Sequence, residues 1–273
     1  MVRLIFTEGD SWTSGDIIDP KLKAKGITDI NNSQNDKYRL PKVWPNKLAK
    51  KFKVQVNNTS RAGSSNDGIL RRTINNILSL LEIYKPNEIF AIIGWSSPER
   101  KDFFHKSKSW DTYYPAQANS YSKEDRERYD FFKRYISLYW QEEEYITRYI
   151  NQTILLHNFL KSKKIKHVFF NAFYENDTGA FHKQPELKTF IEEYYRQGKK
   201  HPHYLEHIDL NKSIQEYLRI EKKYFTKYSF REFLSNKKRE KHYDGIHPNQ
   251  LSHRLWSNYL YSHLKDKYND QFN

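Results

Sequence analysis

The sequence predicts an α/β fold: a three-layer α/β/α sandwich around a mostly parallel, five-stranded sheet. Short apolar segments of strand length alternate with segments whose apolar residues recur every three or four positions, the spacing of a helix with one buried face. Segment 88–94 is apolar almost throughout, which is typical of a strand covered on both faces of a parallel sheet. No linker or repeat interrupts the chain, so we expect a single domain over 1–273 with an enlarged helical middle at about 98–243.

The predicted elements follow one another along the whole chain. Strands are predicted at 2–6, 53–57, 88–94, 165–171 and, as a short fifth strand, 206–210. Helices are predicted at 44–52, 68–83, 124–162, 185–196, 212–220 and 225–234, with a last helix after Pro248. Segments 19–39 and 95–121 are predicted to be irregular. The β-α-β-α-β order of the first part requires right-handed crossovers.

The composition bounds the class of protein. Cysteine is absent, which excludes disulfides and thiolate metal sites. Apolar residues make up only 37% of the chain but aromatic residues reach 16%, so large rings must fill much of the core. No apolar run reaches the length of about 18 residues that a membrane span needs. A strand and a motif occupy the first residues, so we expect no signal peptide and a cytoplasmic or virion-associated protein.

The chain is strongly basic, with a formal net charge of +14. Such an excess favours contact with a polyanion through a basic surface: a nucleic acid, an acidic polysaccharide or an anionic membrane surface. An alternative is the base composition of an AT-rich genome, since Lys, Asn, Ile and Tyr are abundant while Ala is scarce. No recognised nucleic-acid-binding motif accompanies the charge.

The first motif is Gly9-Asp10-Ser11, directly after the predicted strand 2–6. Gly9 allows the backbone to bend sharply where the strand ends. Ser11 then projects from the carboxyl edge of the sheet, where open α/β sheets bind their ligands. A serine in a surface turn or at a helix N-cap is the alternative interpretation of this motif alone.

The second motif is Asp244-Gly245-Ile246-His247-Pro248, near the end of the chain. A serine nucleophile needs a neutral histidine to take its proton and a carboxylate to hold that histidine in one tautomer. A tight loop with Asp244 and His247 three residues apart can supply both groups. Pro248 suits the first turn of the helix that follows.

Together these motifs resemble those of the SGNH hydrolases, also called GDSL-type esterases and lipases. Segment 8–11 resembles the block that carries the nucleophile of that family. Segment 57–66 is similar to the second block, 92–97 falls where the third is expected, and 244–247 resembles the last. The middle of the chain, from about 98 to 243, carries no such match.

The resemblance implies a flavodoxin-like strand order and a Ser-His-Asp triad. Ser11 is then the nucleophile, His247 the general base, and Asp244 the carboxylate that orients His247. The backbone amides of Ser11 and Gly63 bind the oxyanion. No metal and no organic cofactor is required.

One position departs from the family pattern. The third block has Ser96 where the family has an asparagine whose side chain donates to the oxyanion. Loss of one such donor typically costs about 100- to 1,000-fold in rate. The Ser96 or Ser97 hydroxyl can replace it, or Asn66 can reach in from the second block.

Three further residues are predicted to bind the substrate. Trp12 and Trp95 adjoin the first and third blocks, and Arg100 begins a segment of interleaved basic and aromatic residues. Such a mixture suits a sugar or an anionic chain through stacking and charge. A long loop packed by its own aromatic residues is the alternative interpretation.

The sequence therefore predicts a serine esterase that hydrolyses a carboxylic ester, such as an O-acetyl group on a carbohydrate. Its partners are an ester-bearing small molecule or a polysaccharide. Two other classes stay open: a sugar-binding protein with weak catalysis on the same fold, favoured by Ser96, and a nucleic-acid-binding protein, favoured by the net charge.

Overall fold

The computed structural model describes residues 1–27, 33–106, 108–113, 126–139, 142–173, 210–236 and 247–272. Its strands are β1 (Leu4–Glu8), β2 (Gln55–Asn58), β3 (Ile89–Trp95), β4 (Lys101–His105), β5 (Ser109–Tyr113) and β6 (Lys166–Asn171). Its helices are α1 (Ser11–Ser14), α2 (Pro20–Lys23), α3 (Ser33–Arg39), α4 (Trp44–Phe52), α5 (Asn66–Leu80), α6 (Arg126–Leu138), α7 (Glu142–Ser162), α8 (Leu210–Tyr224), α9 (Phe230–Asn236) and α10 (Gln250–Phe272). In this part of the chain, no helix has both the length and the apolar character that crossing a membrane requires.

A parallel sheet with the strand order β2-β1-β3-β6 forms the centre of the molecule. The first strand is paired on both sides, so its carboxyl end lies in the middle of the sheet edge. All seven residues of β3 are buried, as its apolar sequence predicts. The order, with the second parallel strand outside the first, confirms the α/β prediction and its flavodoxin-like arrangement.

Helices cover both faces of this sheet. Along β1, Leu4 and Phe6 point into one core cluster while Ile5 points into the other, because successive strand residues face opposite sides. The first cluster is completed by residues of α5, α7 and α8, and the second by residues of α4, α9 and α10. The three-layer α/β/α sandwich is therefore confirmed.

The predicted fifth strand is the main difference in the sheet. Residues 206–209 lie outside the described residues, and Leu210 is the first residue of α8. The described sheet has four strands, and next to β6 only Phe225 adds a single parallel bridge, to Phe169. Thr226 N donates to Phe169 O at 3.0 Å. Because Phe225 pairs with the sheet, the helix predicted at 225–234 begins only at Phe230.

Segment 95–121 was predicted to be irregular, but part of it forms an antiparallel hairpin of β4 and β5. Lys108 in its turn has the positive φ of 63° that a tight reversal needs. Tyr113 at the end of the hairpin packs with Phe132 and Tyr135 of α6 in a separate small cluster. The hairpin gains this apolar support from residues far along the chain, which its own short sequence does not reveal.

The other helices differ from prediction mainly in their limits. The region 124–162 contains two helices, α6 and α7, and the segment 19–39 contains α2 and α3. The carboxylate of Asp19 caps α2 by accepting from Lys21 N at 2.9 Å. The helix predicted at 185–196 lies outside the described residues.

Candidate active site

Ser11 lies at the carboxyl edge of the central strand, where it begins the short helix α1. Asp10 is the N-cap of that helix, and its carboxylate accepts from Trp12 N at 2.9 Å. At Gly9 a Cβ atom would lie 2.4 Å from Thr13 Oγ1 and 3.0 Å from Gly94 O. Only glycine therefore permits the close turn that carries Ser11 over the sheet edge.

His247 precedes α10, and its ring lies beside the carboxylate of Asp16. Asp16 Oδ2 lies 2.7 Å from His247 Nδ1, and both side chains are about one-fifth exposed. His247 is also near enough to Asp10 for its charge to lower the pKa of that carboxyl group. The histidine is thus brought to the edge of the sheet that carries Ser11. Asp244, the predicted partner of His247, lies outside the described residues.

The third block is bound to the first and second blocks by hydrogen bonds. Ser96 Oγ donates to Asp10 Oδ2 at 2.8 Å. The Asn66 side chain makes two hydrogen bonds to the Ser96 backbone. Its Oδ1 accepts from Ser96 N at 2.8 Å, and its Nδ2 donates to Ser96 O at 3.1 Å. A primary amide has two N–H groups, so this pairing leaves Asn66 a second donor. The Ser96 hydroxyl, in contrast, directs its one hydrogen to Asp10.

Gly63 lies in an exposed turn beside the segment that carries Ser11. Its φ is +77°, a conformation that favours glycine, although an added Cβ would meet no atom within 4 Å. Arg61 N donates to Gly9 O at 3.1 Å, and Ser64 N donates to Arg61 O at 3.3 Å. These bonds hold the turn against the end of β1, next to Ser11.

A buried carboxylate, Glu8, ties this turn to the scaffold. Its oxygens accept from Gly9 N at 3.0 Å, from Thr59 Oγ1 at 2.7 Å and from Arg72 Nη2 at 2.8 Å. Arg72 Nη2 in turn donates to Ser64 Oγ at 2.7 Å. Burial raises the pKa of Glu8, and the charge of Arg72 opposes that rise. The Glu8–Arg72 pair therefore positions the Gly63 turn.

Arg100 approaches the same place from the segment after β3. Its Nη1 donates to Ser64 O at 3.2 Å and lies 3.7 Å from Asp10 Oδ2. Burial raises the pKa of Asp10, and the positive charge of Arg100 is the largest influence that lowers it again. Arg148 fixes the backbone here by donating to Arg100 O at 2.9 Å. Arg100 thus links the Gly63 turn to the segment that carries Ser11.

Comparison with known protein families finds a match over most of the chain. The family of unknown function DUF6071 matches residues 28–271. The chain belongs to this family. No curated protein matches it.

Several solved structures are similar to this DUF6071 protein at low sequence identity. The psychrotrophic esterase EstA from Pseudoalteromonas sp. is 14% identical, with 98% of this chain and 99% of that chain covered and a TM-score of 0.48. The lipase/acylhydrolase from Enterococcus faecalis is 16% identical, covers 97% of both chains and has a TM-score of 0.44. A protein from Desulfitobacterium hafniense assigned to the lipolytic G-D-S-L family is 12% identical, covers 95% and 98%, and has a TM-score of 0.43. These similarities are similarities of fold and say nothing about the chemistry of this chain.

Two predicted substrate-binding residues of this DUF6071 protein belong instead to the core. Trp12 is 2% exposed, and its ring packs edge-on against Phe173 and Phe230. Trp95 is fully buried, with its ring centroid 5.8 Å from that of Phe169. The prediction that these tryptophans bind substrate is therefore wrong, because their neighbours in sequence lie at the site while their rings turn into the apolar layers.

Two acidic residues at the site of this DUF6071 protein are not predicted from its sequence. Asp16 lies five positions after Ser11, outside the block that carries the family resemblance, and its link to His247 exists only in the folded chain. Glu8 belongs to the first motif, but the sequence predicts no separate role for it. A carboxylate at the end of an otherwise apolar strand was the available signal, because a buried charge requires a partner.

Proposed function

We propose that the protein is a serine esterase that hydrolyses a carboxylic ester. The observation that carries this proposal is the 2.7 Å pair of Asp16 and His247 at the sheet edge where Ser11 begins α1. A carboxylate that accepts from Nδ1–H keeps the proton on that nitrogen, and Nε2 of the neutral imidazole is then the atom that accepts a proton from a serine hydroxyl. Asp16 is thus the orienting carboxylate that the structure supports, in the role for which the family resemblance implies Asp244.

The reaction proceeds in two steps. Ser11 Oγ attacks the acyl carbon as His247 takes its proton, and the C–O bond to the leaving alcohol breaks as His247 returns that proton to the alkoxide. A water molecule, deprotonated by His247, then attacks the acyl-serine. The carboxylic acid leaves, and Ser11 Oγ regains its hydrogen from His247.

The negative charge of each tetrahedral intermediate needs preorganised donors. We assign this role to the backbone N–H groups of Ser11 and Gly63 and to the second N–H of Asn66. The Ser96 hydroxyl serves instead to hold Asp10, which supports Asn66 rather than Ser96 as the third donor. Arg100 steadies the turn of Gly63 through Ser64 O.

An O-acetyl group on a carbohydrate is the substrate that we favour. Trp110 and Phe104 of the hairpin are exposed, large apolar side chains, and their ring centroids lie 5.0 Å apart. The guanidinium of Arg71 lies 3.6 Å from the centroid of Trp110. Asp102 ties this hairpin to the start of α5, next to Asn66, because Ser65 Oγ donates to Asp102 Oδ1 at 2.5 Å. An aromatic platform with a neighbouring cation suits a sugar ring.

Hydrolysis of 4-nitrophenyl acetate and labelling by a fluorophosphonate test the esterase proposal. We expect the parent protein to hydrolyse the ester and to be phosphonylated at Ser11, as peptide mass spectrometry would show. Ser11→Ala should lower kcat by at least about 1,000-fold. Ser79→Ala, an exposed serine whose hydroxyl bonds Asn75 O within α5, is the matched control and should leave both results unchanged. Equal rates for Ser11→Ala and the parent would refute the proposal.

A sugar-binding protein with weak catalysis is the second candidate. The observation that favours it is the Ser96–Asp10 hydrogen bond, which withdraws that hydroxyl from the oxyanion. In that case an O-acetylated oligosaccharide binds equally well to the parent and to Ser11→Ala, as calorimetry would measure, while the parent releases acetate only slowly.

A further inference from the structure

A cleft of about 670 Å³ opens beside the Asp16–His247 pair. One wall contains Ile17, which directly follows Asp16, and another contains Asn249, two residues after His247. Because consecutive Cα atoms are about 3.8 Å apart, these walls begin within about 8 Å of the two paired residues. The cleft therefore adjoins the chain segments that carry Asp16 and His247, although neither residue lines it.

Three cations line the cleft from different parts of the fold. Lys42 precedes α4, Lys47 lies within α4, and Arg254 lies in the second turn of α10. Among the residues that the structure describes, no carboxylate lies within ion-pair distance of any of the three. The acidic residues of the neighbouring segments have other partners. Asp36 pairs with Arg39, Asp16 contacts His247, and Asp19, between the lining residues Ile18 and Pro20, accepts from Lys21 N.

The positive charges in this region act on one another. Burial lowers the pKa of Lys47, and the charges of Arg254 and Lys50 lower it further. Burial likewise lowers the pKa of His253 to about 3, with Lys47 and Arg39 contributing in the same direction. Repulsion between like charges is reduced when an anion binds near them.

The first turn of α10 adds to this potential. The helix begins at Gln250, a lining residue, and runs for 23 residues. Asn249 caps it by accepting from Ser252 N at 3.0 Å. A helix N-terminus carries partial positive charge, so it acts together with the three cations on any group in the cleft.

The rest of the lining is largely apolar. Ile17, Ile18, Pro20 and Leu251 contribute hydrocarbon surface to the same cleft. A cleft that combines such surface with converging positive charge suits a ligand with an apolar part and an acidic end.

We propose that this cleft binds an acidic group, a carboxylate or a phosphate, of the ester that Ser11 hydrolyses. Lys47 and Arg254 hold the acid, the apolar walls hold the segment between the acid and the ester, and the ester carbonyl then lies at Ser11. The inference rests on the proposed esterase function and specifies its substrate class. It makes Lys47 and Arg254 specificity residues, separate from those that carry out the reaction.

Matched esters test the proposal. Mono(4-nitrophenyl) glutarate has a carboxylate on the acyl side, and its neutral counterpart is 4-nitrophenyl butyrate. On the alcohol side, 3-acetoxybenzoate and 3-acetoxyphenyl phosphate are compared with methyl 3-acetoxybenzoate. We expect at least one acidic ester to have a KM about tenfold below that of its neutral counterpart, with a preference that weakens as salt increases.

The variant Lys47→Met/Arg254→Met should abolish this preference and leave kcat/KM for the neutral esters unchanged. Methionine keeps much of the length and the apolar stem of each side chain while removing the charge. Lys51→Met is the control, because Lys51 is an exposed lysine of α4 that lies near Tyr261 and outside the cleft. If the preference is absent in the parent, or survives in the double variant, the inference is wrong while the esterase proposal stands.

A binding measurement separates the two proposals. Glutarate and phenyl phosphate are titrated calorimetrically into the parent, Ser11→Ala and the double variant. Binding to the first two proteins that is lost in the double variant supports the cleft even if no ester is hydrolysed, in which case the esterase proposal alone fails. If neither anion binds and no acidic ester is preferred, the cleft does not have the proposed role.

Discussion

Asp16 Oδ2 lies 2.7 Å from His247 Nδ1, which joins the segment of the proposed nucleophile, Ser11, directly to the segment of the proposed general base. Asp16 follows α1, the short helix that Ser11 begins, so one stretch of seven residues contains Asp10, Ser11 and Asp16. The pairing holds the imidazole near the carboxyl edge of β1. This arrangement makes the role of Asp16 the most direct question that mutagenesis can answer.

Replacing Asp16 by asparagine is expected to lower kcat by about 100- to 10,000-fold with little change in KM, because an amide no longer favours the proton on Nδ1. Steady-state kinetics on 4-nitrophenyl acetate measures the effect. Asp19→Asn is the control, since Asp19 caps α2 through Lys21 N and has no contact with His247 among its described bonds. If Asp16→Asn retains the parent rate while Asp244→Asn abolishes it, Asp244 is the orienting carboxylate.

The oxyanion assignment predicts different effects for Asn66 and Ser96. Asn66→Ala should lower kcat by about 100-fold or more with little change in KM, since its bond to the substrate forms chiefly in the transition state. Ser96→Ala should have the smaller effect on kcat, because its hydroxyl bonds Asp10. Asn75→Ala, an exposed asparagine of the same helix, should have none. A severe loss for Ser96→Ala with a silent Asn66→Ala would reverse the assignment.

The Glu8–Arg72 pair is expected to stabilise the fold and the Gly63 turn together. Glu8→Gln leaves Arg72 without its carboxylate in a buried position, and breaking such a pair typically costs about 3–5 kcal/mol of unfolding free energy. Glu88→Gln breaks the exposed pair with Arg3, whose side chain is 64% exposed, and should cost less than about 1 kcal/mol. Urea unfolding compares the two variants. Similar losses for both would show that Glu8 contributes no more than a surface ion pair.

The stability of the protein is expected to fall as the pH falls below about 6.5. Burial lowers the pKa of His253 to about 3, and the pKa of His157 and of His167 to about 4. The unfolded chain therefore binds more protons than the folded chain between these values, so the stabilisation is complete above pH 6.5 and is lost on acidification. At pH 5 each fully buried histidine accounts for roughly 2 kcal/mol of lost unfolding free energy.

Replacement of His253 tests that pH dependence. In His253→Asn the amide oxygen can take the place of Nδ1, which accepts from Trp44 N at 3.4 Å. The variant should be less stable than the parent at pH 7, because a buried ring is lost, yet its stability should fall less steeply between pH 6.5 and 4. Urea midpoints measured at several pH values give the two slopes. Parallel slopes would show that folding does not lower the pKa of His253.

The elements that sequence analysis located correctly are those with a strong local pattern. The helix at 44–52 was predicted with the limits that α4 has, and the strand predicted at 88–94 corresponds to β3. In both, the periodicity of apolar residues within one short window reflects the face that is buried. Gly9 was also interpreted correctly, since a sharp turn behind a strand limits the residue types at that position.

The tertiary structure alone decided which polar groups meet. Three contacts join segments that are distant in the sequence and have no common sequence pattern. They are Asp16–His247, Ser96–Asp10 and Glu8–Arg72. The sequence also did not determine whether the side chains of Trp12 and Trp95 are buried, because a tryptophan beside a motif can face either a ligand or the core. The spacing of apolar residues along a helix or strand specifies which face of that element is buried. Which two side chains form a hydrogen bond depends instead on how several elements pack together. No short segment of the sequence contains that information.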